Sequence, residues 1–554
     1  MNIAIAQLNY HIGNFEQNAQ NIIAHIRKAQ SEGADIVVFS ELSVCGYPPL
    51  DLLEQRDFVE ACLQTVQTIA LECIEIAAVV GCPTLNEGEK GKRLFNSALF
   101  LYNGSMCAQF NKTLLPTYDI FDEYRYFEPN TDFTVIEFKG KKIAITICED
   151  LWDNQVVETA FAKDKIYKTS PLEILSTYSP DFVINIAASP FSYNQDYLRS
   201  KVLQDNASLY KLPIIYVNQV GANTEIIFDG CSKIVNSQGK IVYELAEFQE
   251  DFYVFDVENI SQMLFVQEEP YNKIKKIHDA LILGIRDYFR KNNFTSAVLG
   301  LSGGIDSAVV LALVVEAIGA EHVRVLLMPS EFSSSHSVDD AVALARTLQV
   351  QYDIIPIHSM YNATIQSLSP VFANKPFNVA EENIQARLRG VLLMGISNKF
   401  GAILLNTSNK SEAAVGYSTM YGDMNGSLSI LGDVYKTDVY KLAEYINKET
   451  EIIPHNTIIK PPSAELRPNQ KDSDSLPDYD TLDAILFEYI EKKLSTHEII
   501  EQGFAAETVL KTVRLVNANE YKRFQFPPIL RVSSKAFGFG RRIPLVAKHE
   551  FDTI

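Results

Sequence analysis

Residues 297–317, AVLGLSGGIDSAVVLALVVEA, constrain the fold more than any other part of the sequence. An apolar run leads into a glycine-rich turn and then into an apolar helical run, which is the pattern of a strand, a tight turn and a helix. The same alternation surrounds this segment, with predicted strands at 296–302, 323–329, 353–357 and 402–407 and predicted helices at 272–291, 306–318, 337–348 and 380–399. Alternating strands and helices predict an α/β fold with a doubly wound, Rossmann-like parallel sheet.

The first half of the chain has a different pattern. Short β-rich runs are spread over residues 2–257, and many, such as DFVINIAAS, are apolar almost throughout, as strands buried on both faces are. Helical stretches predicted at 14–31, 51–72 and 195–211 separate some of these runs, which fits a layered α/β domain with two sheets. Because 554 residues are too many for one core, we predict a first domain at 1–260, a linker at 261–275 and a second domain at 276–554. The polar segment 467–480 is expected to be a mobile loop.

Composition argues against several classes of protein. A net charge of -20 and a pI near 5.0 count against a nucleic-acid partner, which normally meets a basic face. No basic leader opens the chain, and no apolar stretch approaches the ~18 residues that cross a bilayer, so we expect neither a signal peptide nor a membrane partner. The seven cysteines contain no CxxC pair. We therefore expect no disulfides, no zinc site and a cytoplasmic location. Six of the cysteines are expected to fill core positions as small apolar residues.

The glycine-rich turn has the chemistry of a phosphate site, although it has neither a Walker A ending nor a GxGxxG motif. Gly303 and Gly304 let the backbone approach a ligand, and Ser302 and Ser307 offer hydroxyl groups beside a helix N-terminus that attracts anions. Without a lysine to hold a γ-phosphate, the turn suits a pyrophosphate that leaves as a unit, with Asp306 on Mg²⁺. The alternative at this point is a strand-to-helix turn that binds no ligand.

The full SGGxDS motif resembles the PP-loop ATP pyrophosphatases, a class that contains adenylate-forming amidotransferases and tRNA-thiolating enzymes. Four later segments resemble the NAD synthetases within this class: EENIQARLRG at 381–390, NTSNKSEAAVGYSTMYGDMNG at 406–426, KPPSAELRPNQKDSD at 460–474 and ANEYKRFQFPP at 518–528. Single-domain members often have lysine directly before Tyr-Gly-Asp, where this chain has Met420. No role is therefore assigned to that position.

The resemblance implies specific binding residues in the second domain. It implies that ATP is bound by Gly300, Leu301, Ser302, Gly303, Gly304, Ile305, Asp306, Ser307, Thr407, Lys436 and Ser463. It implies that deamido-NAD is bound by Asn383, Arg387, Glu412 and Lys522. Mg²⁺ would lie on Asp306 and Glu412, the latter of which could instead be a solvated helix carboxylate.

In the first domain, Cys148 lies in AITICEDLWD, at the end of a predicted apolar strand. A free thiol is only a few per cent ionised at neutral pH, so a catalytic cysteine needs a base or a nearby cation. Taken alone, Cys148 also fits a core position. Glu41 in VVFSELSVCGYPPLDL and Lys112 in FNKTLLPTYDIFDEYRYFEP, taken together with Cys148, resemble the triad of the nitrilase/amidase superfamily.

That resemblance implies a nitrilase-like αββα sandwich with glutamine amidohydrolase activity. Cys148 would be the nucleophile, Glu41 the general base, and Lys112 would stabilise the oxyanion. Glu123 would orient Lys112 or the attacking water, unless it is a surface carboxylate. Glutamine would be bound by Tyr118, Ser189 and Gln195, although family members often have lysine near position 195.

Taken together, the two halves resemble the glutamine-using NAD synthetases over nearly the whole chain. The implied reaction is the ATP-dependent amidation of deamido-NAD with ammonia from glutamine, through an adenylate, in a homo-oligomer. Three alternatives stay open: another PP-loop glutamine amidotransferase, a tRNA-modifying enzyme, and a non-catalytic nucleotide sensor. The acidic balance and the absence of zinc-type cysteines disfavour the second, and the four candidate catalytic side chains at positions 41, 112, 148 and 306 disfavour the third.

Overall fold

The computed structural model describes residues 1–154, 167–194, 196–266, 270–373, 375–468 and 470–549. The chain forms two compact units, Met1–Tyr271 and Asn272–Ile554. Each unit has its own sheets and its own hydrophobic clusters.

Unit 1 is built from short strands and four helices in its described residues. The strands are β1 Asn2–Gln7, β2 Ile36–Val38, β3 Ala77–Leu85, β4 Leu94–Tyr102, β5 Ser105–Asn111, β6 Ile136–Phe138, β7 Lys141–Ile147, β8 Phe182–Ala187, β9 Ile214–Asn218, β10 Val220–Asn223, β11 Ile226–Asp229, β12 Lys233–Val235, β13 Ile241–Glu244 and β14 Asp251–Asp256. The helices are α1 Phe15–Ser31, α2 Arg56–Ala70, α3 Pro171–Ser176 and α4 Asp196–Tyr210.

Two six-stranded sheets of unit 1 pack face to face, in the orders β14-β1-β2-β3-β4-β5 and β13-β12-β9-β8-β7-β6. Because side chains alternate along a strand, Ile3 and Ile5 of β1 share a cluster with Ile145 of β7 in the other sheet. Ala4 on the opposite face of β1 packs instead with Ile22 of α1. The predicted αββα sandwich is confirmed.

Unit 2 contains a five-stranded sheet flanked by helices. The strands are β15 Ala297–Gly300, β16 Val323–Leu327, β17 Gln351–Ile354, β18 Ile403–Asn406 and β19 Leu428–Ser429. The helices are α5 Lys273–Lys291, α6 Ile305–Ile318, α7 Ser335–Thr347, α8 His358–Phe372, α9 Val379–Phe400, α10 Lys410–Val415, α11 Lys436–Ile446, α12 His455–Ile459, α13 Tyr479–Leu486, α14 Thr496–Glu501, α15 Ala506–Ala518 and α16 Glu520–Arg523.

The sheet of unit 2 has the order β17-β16-β15-β18-β19, and its paired strands are parallel. The predicted doubly wound parallel sheet is therefore confirmed. The chain leaves β15 for β16 on one side and returns to β18 on the other, so the strand order reverses at β15. Ligands of open α/β sheets bind beyond the carboxyl ends of the strands at such a reversal.

Three local expectations were wrong. The predicted loop 467–480 contains a short helical turn, Asp472–Asp474, whose first residue is buried, and α13 begins within it at Tyr479. The predicted helix 51–72 is interrupted, since a helical turn at Leu50–Glu54 precedes α2. Cys107 is exposed, so five rather than six thiols besides Cys148 fill core positions.

Candidate active sites

In unit 1, three predicted catalytic side chains lie in turns that follow buried strands. Glu41 follows β2, Lys112 follows β5 and Cys148 follows β7. Cys148 has a φ of 43°, a left-handed conformation that non-glycine residues rarely adopt. Glu41 and Lys112 are 0% exposed and Cys148 is 6% exposed. The fold therefore buries a thiol, an amine and a carboxylate at strand ends.

Lys112 joins two carboxylates in this site. Its Nζ donates hydrogen bonds to Glu41 Oε1 at 2.7 Å and to the Glu123 carboxylate at 2.8 Å. Glu41 also accepts a hydrogen bond from Asn96 Nδ2 at 2.7 Å and one from the Ala188 N–H at 3.0 Å. Both carboxylate oxygens of Glu41 thus accept hydrogen bonds. Glu123 is a buried member of the same network rather than a surface carboxylate.

Burial and charge set the protonation of these groups. Burial, reinforced by Glu41, raises the pKa of the Cys148 thiol well above its ordinary value, although Lys112 opposes the shift. Burial lowers the pKa of Lys112, but Glu123 and Glu41 outweigh it and hold that pKa well above its ordinary value. Burial also raises the pKa of Glu123 to about 7, against the influence of Lys112. The resting thiol is therefore protonated and needs a base before it can act as a nucleophile.

The residues predicted to bind glutamine lie in different surroundings. Ser189 Oγ is 3.6 Å from Cys148 Sγ. The Tyr118 hydroxyl donates to both carboxylate oxygens of Glu149, at 2.9 and 3.0 Å, so it borders the residue that follows the thiol. Gln195 lies outside the described residues. Two of the three predictions therefore fall beside Cys148 or its neighbour.

The sequence pattern did not identify Asp150, which connects two of the turns that carry the predicted catalytic residues. Its Oδ1 accepts hydrogen bonds from the N–H groups of Thr113 and Leu114, both at 2.9 Å. Its Oδ2 accepts from the Ile147 N–H at 3.0 Å. One buried carboxylate thus joins the turn after Lys112 to the turn that carries the thiol.

Asp150→Ala is expected to destabilise unit 1 by about 3 kcal/mol, because three buried N–H groups would lose a charged acceptor. Urea unfolding of the parent and the variant measures this loss. Asp181→Ala is the matched control, since this more exposed carboxylate accepts one backbone hydrogen bond, from the Lys142 N–H at 2.7 Å, and should cost about 1 kcal/mol. Equal losses for the two variants would contradict the connecting role of Asp150.

In unit 2, a cavity of about 310 Å³ lies at the carboxyl ends of β15, β16 and β18. All predicted ATP-binding residues except Gly303 line it: Gly300, Leu301, Ser302, Gly304, Ile305, Asp306, Ser307, Thr407, Lys436 and Ser463. Its position is the strand-order reversal where open α/β sheets bind ligands. The turn therefore borders a cavity, and the binding of ATP there stays a prediction.

Gly303 has a structural reason to be glycine although it does not line the cavity. Its φ is 79°, and a Cβ at this position would lie 2.2 Å from the backbone oxygen of Ser337 in α7. Within the same turn, Ser302 Oγ accepts from the Gly304 N–H at 3.1 Å, and Ser307 Oγ donates to the Gly304 carbonyl at 3.0 Å. The glycines therefore permit a tight turn whose hydroxyl groups line the cavity.

Two carboxylates predicted to hold Mg²⁺ converge on one ammonium group. Lys436 Nζ donates to Asp306 Oδ2 at 2.5 Å and to Glu412 Oε1 at 3.3 Å. Asn409 Nδ2 donates to Asp306 Oδ1 at 2.8 Å. Burial raises the pKa of Glu412 to about 8, and Lys436 opposes this rise. Glu412 is therefore a cavity residue rather than a solvated helix carboxylate.

The donor set at this point fits Mg²⁺. The ion prefers oxygen ligands and usually takes one or two carboxylates, with waters and substrate phosphates completing its shell. Asp306 and Glu412 supply two such carboxylates on the wall of the cavity, and a cation between them would replace the attraction that Lys436 now supplies.

The other three residues predicted to bind deamido-NAD all contact the segment 416–420. Asn383 Oδ1 accepts from Thr419 Oγ1 at 2.7 Å, and Arg387 Nε donates to the Met420 carbonyl at 3.2 Å. Lys522 Nζ donates to the carbonyls of Gly416 and Ser418, at 2.6 and 2.9 Å. These side chains hold one loop, and their role toward a dinucleotide stays a prediction.

None of the helices in the described part of the chain has both the length and the apolar composition of a membrane span. This finding applies to both units.

Family models match both units. The carbon-nitrogen hydrolase family matches residues 2–259, and the NAD synthase family matches residues 277–526. The glutamine-dependent NAD(+) synthetase of Synechocystis sp. is 46% identical over 98% of this chain and 98% of its own length. That of Acinetobacter baylyi is 42% identical with the same coverage.

Solved structures give the same result. The glutamine-dependent NAD+ synthetase of Acinetobacter baumannii, solved with ADP, is 40% identical and superposes with a TM-score of 0.77 over 98% of both chains. The structure of the enzyme from Cytophaga hutchinsonii, at 20% identity and a TM-score of 0.82 over 99% of this chain and 98% of that one, shows the same fold. With two family matches in series and relatives this similar along the full length, the chain belongs to the glutamine-dependent NAD(+) synthetases.

Proposed function

We propose that this chain converts deamido-NAD, ATP and glutamine into NAD, AMP, pyrophosphate and glutamate. The observation that carries the proposal is the pairing of a buried thiol, amine and carboxylate in unit 1 with a PP-loop cavity in unit 2. Full-length relatives named for glutamine-dependent NAD synthesis support this pairing. Another PP-loop glutamine amidotransferase, acting on a different nucleotide or an amino acid, is the second candidate.

In unit 1, glutamine would be cleaved through a thioester. Glu41 takes the thiol proton as Cys148 Sγ attacks the amide carbon, and the same proton then goes to the departing ammonia. Lys112 and the backbone N–H near Glu149 stabilise the oxyanion. Water, activated by Glu41, attacks the thioester and releases glutamate and the thiol, while Glu123 holds Lys112 or the water in place.

Tyr118, Ser189 and Gln195 would bind the glutamine substrate. Ser189 Oγ lies beside the thiol, and Tyr118 reaches the site through its bonds to Glu149. These contacts support a role near the substrate for the first two residues. The role of Gln195 rests on the family resemblance alone.

In unit 2, the nicotinate carboxylate of deamido-NAD would be activated by ATP. A carboxylate oxygen attacks the α-phosphorus, the bond to the β,γ-pyrophosphate breaks, and the pyrophosphate leaves into the glycine turn around Ser302 and Ser307. Ammonia then attacks the carbonyl carbon, and AMP departs with the carboxylate oxygen. Mg²⁺, held by Asp306 and Glu412, would neutralise phosphate charge; Thr407, Lys436 and Ser463 would contact ATP.

Asn383, Arg387, Glu412 and Lys522 would position the dinucleotide, three of them through the loop 416–420 that they hold. The test of the whole proposal is AMP release in the presence of glutamine and ATP. AMP should form with deamido-NAD and not without it. AMP release with another nucleotide carboxylate or with aspartate, but not with deamido-NAD, would favour the second candidate.

We further propose that ammonia passes to the synthetase reaction without mixing with bulk ammonium. Ammonia in neutral water is mostly protonated and not nucleophilic, so protected transfer preserves its reactivity. With unlabelled glutamine and excess ¹⁵N-ammonium, NAD is expected to carry little label, as mass spectrometry would measure. Cys148→Ala under the same conditions is the control, because it can use only bulk ammonia and should give fully labelled NAD. Full labelling with the parent protein would contradict protected transfer.

We propose a homo-oligomer that pairs through unit 2. The described residues of α8 include no buried side chain, and α9 buries only Gln385, Ala386 and Gly390 among its 22 residues. Val391 and Met394, one turn apart on α9, are instead exposed by 60% and 41%. A second copy of this chain, with the same apolar face, would cover them.

A double substitution in α9, Val391→Asp with Met394→Asp, is expected to convert the oligomer to monomers, because the charges would be buried without partners. Sedimentation equilibrium measures the change. Leu71→Asp with Val546→Asp is the control pair, since both side chains are more exposed, by 67% and 99%, and lie outside α8 and α9. A parent protein that is already monomeric would contradict this proposal.

A further inference from the structure

Arg389 differs from the other cations of the synthetase cavity, which is the unit 2 cavity at the carboxyl ends of β15, β16 and β18. It lies in α9 and lines the cavity, and its Nε donates to the Met328 carbonyl at 3.0 Å. Met328 directly follows β16, so this bond fixes the guanidinium at the carboxyl edge of the sheet, where the cavity opens. Arg387, two residues away, is bonded to Met420 and does not line the cavity.

The carboxylates around Arg389 are occupied by other donors. Glu465 accepts a hydrogen bond from Ser337 Oγ at 2.7 Å, and Asp423 accepts one from the Thr419 N–H at 2.6 Å. Both attract the guanidinium from a distance. Within the described part of the chain, Arg389 has no ion pair at 4 Å or less, and the Met328 carbonyl is its one hydrogen-bond partner. Its terminal nitrogens therefore keep their donor capacity for another group.

A cation in this position is costly without a counter-ion. Burial lowers the pKa of Arg389 to about 10, against the attraction of Glu465 and Asp423, so the group still carries its charge at neutral pH. A charge removed from water loses solvation free energy unless an opposite charge and hydrogen bonds replace it. Lys436, a buried lysine of the cavity wall, has such partners in Asp306 and Glu412. Arg389 has no carboxylate partner as close as these within the described residues.

We propose that Arg389 binds phosphoryl oxygens of a nucleotide substrate in this cavity, either the triphosphate of ATP or the pyrophosphate of deamido-NAD. The proposal rests on the function proposed above and adds a binding residue to it. A guanidinium presents paired N–H donors that match two oxygens of one phosphoryl group, which a lysine cannot do. Since the Met328 carbonyl holds Nε, both terminal nitrogens are left for the ligand.

Calorimetric titration of the full-length protein with ATP alone and with deamido-NAD alone tests this role. Arg389→Met should weaken the binding of at least one ligand by about tenfold or more, the loss expected for charge-assisted hydrogen bonds. The ligand that is weakened identifies which phosphoryl group Arg389 contacts. Arg346→Met is the charge-matched control, because this exposed α7 side chain does not line the cavity, and it should leave both affinities unchanged.

Glutaminase activity, which belongs to unit 1, and the unfolding curve report whether the variant is folded. If Arg389→Met does not fold, Arg389→Lys decides, since it keeps the charge but loses the paired donors and should weaken one ligand by about threefold or more. Unchanged binding of both ligands to a folded variant would overturn the assignment of Arg389. If the parent protein itself bound neither nucleotide, the proposed function would fail together with this inference.

Discussion

Cys148→Ala is expected to lower glutamine-dependent NAD formation by about 1,000-fold or more, because the thioester cannot form without the nucleophile. NAD formation from added ammonium should stay within about twofold of the parent rate, since the synthetase reaction of unit 2 does not use the thiol. Initial rates with each nitrogen source, measured on the same preparation, give the comparison.

The control for this prediction is Cys73→Ala, which removes another buried thiol of unit 1, one that hydrogen-bonds to the Ile69 carbonyl at 3.4 Å. It should retain most glutamine-dependent activity. If Cys148→Ala lost both activities while remaining folded, the assignment of the two half-reactions to two separate sites would be wrong.

Asp306→Asn is expected to lower adenylate formation by about 100-fold or more, because it removes the charge that Lys436 and Asn409 hold at the cavity wall and that we assign to Mg²⁺. Exchange of labelled pyrophosphate into ATP, with deamido-NAD present and no nitrogen source, measures this half-reaction. Basal glutaminase activity should persist, because the side chains that we propose to be catalytic in unit 1 are unchanged.

Asp339→Asn makes the same chemical change on an exposed side chain of α7 and should leave pyrophosphate exchange unchanged. Unaltered exchange in Asp306→Asn would remove this carboxylate from the proposed metal site. A loss of equal size in both variants would point to a general effect of charge on unit 2 rather than to a specific role of Asp306.

Local patterns predicted the parts of the fold that depend on local sequence. Residues 297–317 contain a strand, a turn and a helix in direct succession, and β15 and α6 form there because apolar periodicity and glycine conformation act over a few residues. Glu41, Lys112 and Cys148 were singled out by the resemblance of their three sequence contexts to the nitrilase/amidase superfamily, because a strand end alone does not distinguish a catalytic side chain from a core one.

Contacts between distant residues could not be predicted in this way. Lys436 and Asp306 are 130 positions apart, and the sequence contains no sign that the lysine would lie between two predicted metal ligands. Asp150 was overlooked because its three partners are backbone N–H groups, which every residue except proline has. Only the folded chain brings these groups together.

Polar composition was misleading at 467–480. The segment has the composition of a solvated loop, yet Asp472 within it is 4% exposed, accepts a hydrogen bond from the Tyr479 hydroxyl at 2.9 Å and lines the synthetase cavity. Buried polar groups are stabilised by such partners, and the partner depends on tertiary structure. Cys107 shows the reverse case, since an apolar side chain at the surface carries little cost.

One isotope measurement tests the central claim, that nitrogen from glutamine meets a carboxyl group activated by AMP. The protein is given deamido-NAD with an ¹⁸O-labelled nicotinate carboxylate, glutamine with a ¹⁵N amide, and ATP. We expect NAD with ¹⁵N in its amide and one ¹⁸O in each AMP, because the carboxylate oxygen that attacks the α-phosphorus leaves with it. Unlabelled AMP, or ADP with ¹⁸O in inorganic phosphate, would contradict the account.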